Sequence, residues 1–430
     1  MNHRAQFIGS FFNEMEELDY TLLKFTEGDI DDIDEESDLD VLIDKKALPF
    51  VASILRGCID LEIIDKIERN SMTQFFMHFK DGSFLQVDCL FQLIRKNMVY
   101  MSNSQIRENT KSVNGVKTYD KANLFEHLVL FNQLNHSGMP IKYIQFFRRL
   151  PGEELNEIIA GFNQKFKTNI QLTGLDKSNP VLEIKLKNHL NMQSFNAAPN
   201  KLVNTYKYLK DTISSLFSGK GKIITFSGVD GAGKSTILAE TRELLEKKFR
   251  KKVVVLRHRP SLLPILSSVQ YGKKGAEKRA ADKLPRQGGN KSTFSSLLRF
   301  SYYYLDYFFG QWYIFFRYLM FNYIVLYDRY YFDFIVDGKR SNIQLDSRFT
   351  KLLYRFVHKP KLNIFLYASP EVILARKKEL TAKDIESLTT NYQNLFANFS
   401  DRYDQVYLPI KNIDKEVTLL HIQKELQHIL

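Results

Sequence analysis

The stretch KIITFSGVDGAGKST, residues 222–236, decides the fold of the second half of the chain. KIITFS is a β-branched and aromatic run that reads as a strand, and Gly228 to Ser235 satisfies G-x-x-x-x-G-K-[ST]. KSTILAETRELLEKKF then predicts a helix with Ile237, Thr241, Leu244, Leu245 and Phe249 on one stripe. Glycines at 228, 231 and 233 let successive backbone N–H groups turn inward around phosphate oxygens, and the helix N-terminus adds partial positive charge. On this pattern Gly228, Asp230, Gly231, Ala232, Gly233, Lys234, Ser235 and Thr236 line a phosphate site. Lys234 is expected on the terminal phosphates and the Ser235 hydroxyl on Mg2+. A chance glycine turn before a helix is the competing reading; strand, motif and helix in this order weigh against it.

Outward from this stretch, VVVLR, YIVLY and NIFLY are further short strands separated by helical segments, and DKEVTLLHIQKELQHIL closes the chain as a helix. That order predicts an α/β fold over 218–430, a parallel sheet with helices on both faces. YIVLYDRYYFDF puts Asp328 at the carboxyl end of a strand, where open α/β sheets bind ligands. Asp328 is expected to hold a metal or its waters, and Arg329 to neutralise charge on a transferring phosphoryl group. In EVILARKKEL, Arg376, Lys377 and Lys378 gather near Glu379, as a solvated face or as a cationic clamp; the position after a later strand favours the clamp. The basic segment 267–296 lacks periodicity and reads as a long loop.

Residues 300–334 hold 19 aromatics in 35 positions, yet Asp306, Arg317 and Asp328 leave no charge-free run above ten. A spanning helix needs about 20 apolar residues, so an amphipathic core helix running into a buried strand is expected instead. The composition, 44% apolar and 26% charged over 430 residues, is that of a globular chain with two or three domains. Cys58 and Cys89 cannot build a disulfide framework, and MNHRAQFIGSFF carries no signal-peptide apolar region, so a cytoplasmic setting is expected. Residues 1–50 hold four Lys/Arg against fourteen Asp/Glu, net −10, so the rest must carry +22 to reach the overall +12. A basic body suits nucleic acid, a lipid surface or nucleotide phosphates, and charge alone does not choose among them.

The first 118 residues read as mixed α/β. TQFFMHF and FLQVDCL flank Asp81-Gly82 as a hairpin. SDLDVLI places Asp38 and Asp40 two apart on a strand, hence on one face, and FLQVDCL supplies Asp88 on another. Three converging carboxylates repel unless divalent cations neutralise them, the arrangement used in two-metal nucleotidyl transfer. A scaffold strand with exposed acids is the alternative. Residues 119–217, from NLFEHLVLFNQL to KLVNTYKYLKDTISSLF, read as a helical linker or bundle. The histidines show no zinc spacing, and no nucleophile elbow surrounds a Ser or Cys.

GVDGAGKST, the DRY at 328–330 and SPEVILARKKEL resemble the P-loop, DR motif and lid of thymidylate kinases, a branch of the nucleoside monophosphate kinases, over about 222–430. The resemblance implies ATP and Mg2+ as cofactors and Lys234, Asp328, Arg329 and Arg376 as the catalytic set. Asp230 would contact the acceptor's sugar, Arg329 its phosphates, and Arg376 would close over the reaction. HRP, DRYYFD and RKKEL also resemble thymidylate kinase-like proteins found near bacterial surface-polysaccharide genes. Residues 1–118 are similar to the nucleotidyltransferase superfamily, in which a Gly-Ser turn precedes the Asp-x-Asp strand; here Gly28 is followed by Asp29. Within the kinase resemblance, VVVLRHRPS puts Arg259 where a glutamate is usual, and YYYLDYFFG puts Tyr307 where an arginine is usual. Those two departures imply an acceptor other than thymidylate, more anionic or bulkier.

The expected activity is transfer of the γ-phosphoryl of Mg·ATP to a phosphorylated acceptor. One alternative is a nucleotidyltransferase using Asp38, Asp40 and Asp88 with a regulatory P-loop domain. The other is a non-catalytic nucleotide-binding sensor or assembly factor.

Overall fold

Alternation of side chains along strands builds both halves of the chain. The computed structural model describes residues 3–26, 33, 37–217, 221–260, 262–263, 292–377 and 379–430, in two units, Met1–Ser214 and Ser215–Leu430. Gly28, Asp29, Lys378 and most of the basic segment 267–296 lie outside the described residues.

The first unit opens with α1 (His3–Glu14), β1 (Tyr20–Leu22), β2 (Leu39–Ile43) and α2 (Leu48–Arg56). The strands β3 (Leu61–Glu68), β4 (Met72–Phe79), β5 (Phe84–Leu90), β6 (Leu93–Arg95) and β7 (Met98–Met101) follow. Next come α3 (Asn103–Glu108), β8 (Thr110–Val113) and β9 (Val116–Tyr119). Then come α4 (Lys121–Leu134), α5 (Ile141–Arg148), α6 (Gly152–Phe166), α7 (Pro180–Asn191) and α8 (Ala198–Phe217), whose last turn passes the unit boundary at Ser214. Seven strands form one mixed sheet in the order β3-β4-β5-β2-β1-β9-β8. Leu39, Val41, Ile43, Val87 and Cys89 face a core shared with Phe7 and Phe11 of α1 and Val51 and Leu55 of α2. Leu42 belongs to a second core with Tyr100, Tyr119 and the apolar residues of α4 to α7. Period-two alternation therefore sends Asp40 and Asp88 to the side of Leu42, covered by α4 to α7. The helical stretch read as a linker thus shares a core with the sheet. Each large apolar side chain buried there contributes about 1.5–3 kcal/mol.

The second unit runs β10 (Lys222–Gly228), α9 (Lys234–Glu243), β11 (Lys252–Arg257), α10 (Thr293–Arg317), β12 (Tyr323–Asp328), α11 (Phe332–Val336) and α12 (Ser347–Leu353). It closes with β13 (Leu362–Tyr367), α13 (Pro370–Arg376), α14 (Ala382–Ser400), β14 (Val406–Lys411) and α15 (Lys415–Ile429). The five strands are all parallel, in the order β11-β12-β10-β13-β14. Ile224, Phe226, Leu326 and Ile364 pack under Ile237, Leu245, Ile422 and Leu426 from α9, the turn after it and α15. Ile223, Val325, Tyr327 and Phe365 pack on the other side against α10, α11 and α14. The chain leaves β10 for one flank and returns to the other, so the crevice of the sheet lies at the carboxyl end of β10. No helix among the described residues is long and apolar enough to cross a membrane.

Candidate active site

The loop between β10 and α9 is shaped by its glycines. Gly231 and Gly233 hold φ of +94° and +86°, which residues with a Cβ rarely adopt. A Cβ on Gly233 would also collide with the Asn412 carboxamide. That carboxamide, which follows β14, donates to the Ala232 carbonyl at 2.8 Å and accepts from the Thr418 hydroxyl at 3.0 Å. The loop opens on a cavity of about 480 Å3 lined by Gly231, Gly233, Lys234, Ser235, Thr236, Arg376, Lys377, Asn412 and Lys415. Arg376 donates to the Gly231 carbonyl at 3.3 Å.

Lys234 begins α9, is buried, and is ion-paired with Asp328 at the end of β12. Burial, with Arg329 nearby, lowers its pKa, and Asp328 opposes the fall. Arg329 sits at φ +75°, strained for a side chain of its size, and its guanidinium is clamped. It donates to Asp230 at 2.7 Å and to Asp333 at 3.0 Å, and the Tyr392 hydroxyl donates to Asp333 at 2.6 Å. Asp333 has no exposed surface; burial opposes its charge, but Arg329 prevails and holds its pKa low. Arg340 takes the other oxygen of Asp230. Asp230, expected to reach an acceptor's sugar, is therefore held between two guanidiniums. Arg340, Asp333, Tyr392 and Asn412 were not read from the sequence, because no local pattern announces contacts made by separate elements.

The departures at Arg259 and Tyr307 mean something other than expected. Arg259 donates to Asp306 at 2.6 Å, and Asp306 has no exposed surface. Asp306 also accepts from the Leu263 N–H at 2.8 Å. The Tyr307 hydroxyl donates to the His258 carbonyl, and its ring is buried in the core. Arg259 is thus paired with an internal carboxylate, and Tyr307 packs in the core. His258 is half-buried, and desolvation of its ring lowers its pKa to about 4.

Mg2+ takes oxygen ligands and keeps several waters. The Ser235 hydroxyl on the cavity wall and the Asp328 carboxylate beside Lys234 are oxygen donors suited to it. Among the described residues no group of three or more His, Cys, Asp or Glu is disposed to hold a metal. A magnesium ion here would be completed by phosphate oxygens and water, which fits this donor set.

In the first unit β2 begins at Leu39, so Asp38 stands just ahead of the strand, exposed. Asp40 and Asp88 are direct partners across the parallel strands β2 and β5. Burial, with the negative charge of Asp40 added, pushes the Asp88 pKa up to about 7. Gln74 lies 3.2 Å from both Asp88 oxygens, and Gln86 donates to one at 2.9 Å. Lys24 donates to Asp40 at 2.5 Å. With an ammonium and two carboxamides already on these oxygens, the donor set does not fit a pair of divalent cations.

No family model matches the chain, and no curated protein matches it. Among solved structures, thymidylate kinase from Ehrlichia chaffeensis is similar at 18% identity and a TM-score of 0.33, over 48% of this chain and 98% of that chain.

Proposed function

We propose that the second unit is a P-loop phosphotransferase, thymidylate kinase-like, that moves the γ-phosphoryl of Mg·ATP to a phosphorylated acceptor. In this reading residues 218–430 are the kinase domain, 1–118 a nucleotidyltransferase-like domain and 119–217 its helical companion. The observation that carries the reading is the glycine loop at the N-terminus of α9, opening on a cavity beside the Lys234–Asp328 pair. Loop amides and the helix end bind anionic oxygen without any side chain.

The chain's residues then divide the work. Lys234 exchanges Asp328 for terminal phosphate oxygens, leaving Asp328 and Ser235 for Mg2+, whose role when bound is to neutralise phosphate charge. Arg329, aimed by Asp230 and Asp333, and Arg376, on the cavity wall beside the Gly231 carbonyl, hold charge on the transferring group. An acceptor oxygen forms the new bond to phosphorus as the bond to the bridging oxygen breaks, and ADP leaves. Positioning and charge neutralisation, and no strong base, supply the rate.

The test is incubation with Mg·ATP and a panel of nucleoside monophosphates, sugar phosphates and nucleic-acid ends. ADP should form with one of them. Lys234→Ala should weaken ATP binding roughly ten- to a hundredfold, the worth of a charged hydrogen bond. Asp328, left behind, keeps 26% of its side chain in solvent, so the fold should survive. Pyrophosphate release that depends on Asp40 and Asp88 would replace this reading with nucleotidyl transfer. Tight ATP binding without turnover on any acceptor would favour a sensor.

A further inference from the structure

We propose that Lys24 is the resident cation of the Asp40–Asp88 pair: its ammonium stands where a divalent ion would, and that pair of carboxylates takes up no divalent cation while it is there. This is independent of the phosphotransfer reading.

Three observations show that Lys24 is built into the position. Its backbone sits at φ +59°, a left-handed conformation that residues with a side chain rarely adopt. Its N–H donates to the Tyr119 hydroxyl at 2.9 Å. That hydroxyl meets His127 Nδ1 at 2.9 Å, and His127 Nε2 meets the Tyr100 hydroxyl at 3.3 Å. The strained residue is thus pinned by a buried chain of polar groups. The third observation is the ammonium's own setting. It lies 2.5 Å from Asp40 and 4.6 Å from the centre of the Phe131 ring.

An aromatic face suits an ammonium, which is attracted to the ring quadrupole. It does not suit Mg2+ or Mn2+, which need oxygen ligands in near-octahedral array and keep several waters. The carboxylate side offers no better place. Gln74 spans both oxygens of Asp88, and Gln86 adds another N–H. Two adjacent carboxylates on parallel strands need a counter-charge, and this chain supplies it from its own backbone turn. Two-metal nucleotidyl transfer at Asp38, Asp40 and Asp88 is closed in this state.

The experiment is Mn2+ titration of the full chain without nucleotide, read by electron paramagnetic resonance, on wild type, Lys24→Met and Lys24→Met/Asp40→Asn. Any ion near Ser235 and Asp328 is common to all three and cancels. Wild type and the double variant should bind Mn2+ alike, whereas Lys24→Met should gain one ion roughly ten- to a hundredfold tighter, a typical span for changes around a metal site. Its melting temperature should also rise with added Mn2+ by more than that of wild type. Wild type binding more Mn2+ than the double variant would overturn the inference, as would a folded Lys24→Met with no added ion. Should Lys24→Met fail to fold, the comparison of wild type with the charge-neutral double variant still decides: equal binding supports the resident lysine and excess binding by wild type refutes it.

Discussion

Replacing Asp88 by asparagine should change how the first unit's stability depends on pH, with a sign set by burial. The Asp88 carboxyl is buried and faces Asp40, and its pKa stands at about 7 against an ordinary value of 3.8. The folded state thus holds its proton more tightly than the unfolded chain does. Stability from this group is fully present below about pH 4 and is lost as pH rises through about 7, levelling off above. About three pH units at about 1.4 kcal/mol each give roughly 4 kcal/mol as a ceiling. The carboxamide of Asp88→Asn cannot ionise. This variant should be close to wild type at pH 4.5 and the more stable protein at pH 8, with Gln74 and Gln86 still able to donate to its oxygen. At roughly 2–4 °C per kcal/mol for a unit of this size, the gap at pH 8 approaches 10 °C. Calorimetry of the full chain at several pH values measures it, with hydrogen exchange on β2 and β5 assigning the transition. Carboxylates common to both proteins cancel in the difference. Parallel pH profiles for the two proteins, or Asp88→Asn the less stable at pH 8, would refute the reasoning.

Two further substitutions probe the second unit. Gly233→Ala must hold φ +86° and displace the Asn412 carboxamide, so it should cost roughly 2–3 kcal/mol and abolish ATP binding, as calorimetric titration and thermal melts would show. Asp333→Ala leaves the buried Arg329 short of a partner and frees the Tyr392 hydroxyl, so it should destabilise by about 3–5 kcal/mol and slow ADP formation, in melts and coupled assays respectively.

Local patterns made some of this architecture readable and long-range pairing hid the rest. β10 and the glycine loop were legible because strand, turn chemistry and helix stripe lie within 28 contiguous residues, 222–249. Asp328 was legible because a hydrophobic run ends on it. β14 was not: Pro409 interrupts its pattern, which an edge strand tolerates because one of its flanks has no neighbour to receive the N–H. The β8–β9 hairpin carried a signal that went unread, Asn114-Gly115, whose positive φ values of 49° and 80° make the turn. Arg340 sits 110 residues from Asp230, and Lys24 lies 16 residues before Asp40 across an acidic stretch. Neither partner can be inferred from spacing. Arg259 shows the converse hazard, since a charge that reads as a pocket feature is cancelled by a carboxylate 47 residues away.

Both units set a lysine against an aspartate at the end or edge of a parallel strand pair, and the surroundings decide what each pair can become. Lys234 begins a helix whose first amides, with two left-handed glycines, form an alternative anion site at its own position. In the proposed phosphotransfer the lysine would leave Asp328 for phosphate without losing a partner, and the freed carboxylate would be open to a metal. Lys24 stands in a strained turn, tied through its amide to Tyr119 and roofed by Phe131. Its exit would leave Asp40 without its ammonium beside the buried Asp88, while exchanging a favourable ring contact for water. Removing one partner of a fully buried ion pair costs about 3–5 kcal/mol; this pair is partly buried, and the described residues of that turn offer no second anion in return. The same two residue types therefore make an exchangeable pair in one sheet and a fixed one in the other, and the backbone beneath the lysine makes the difference.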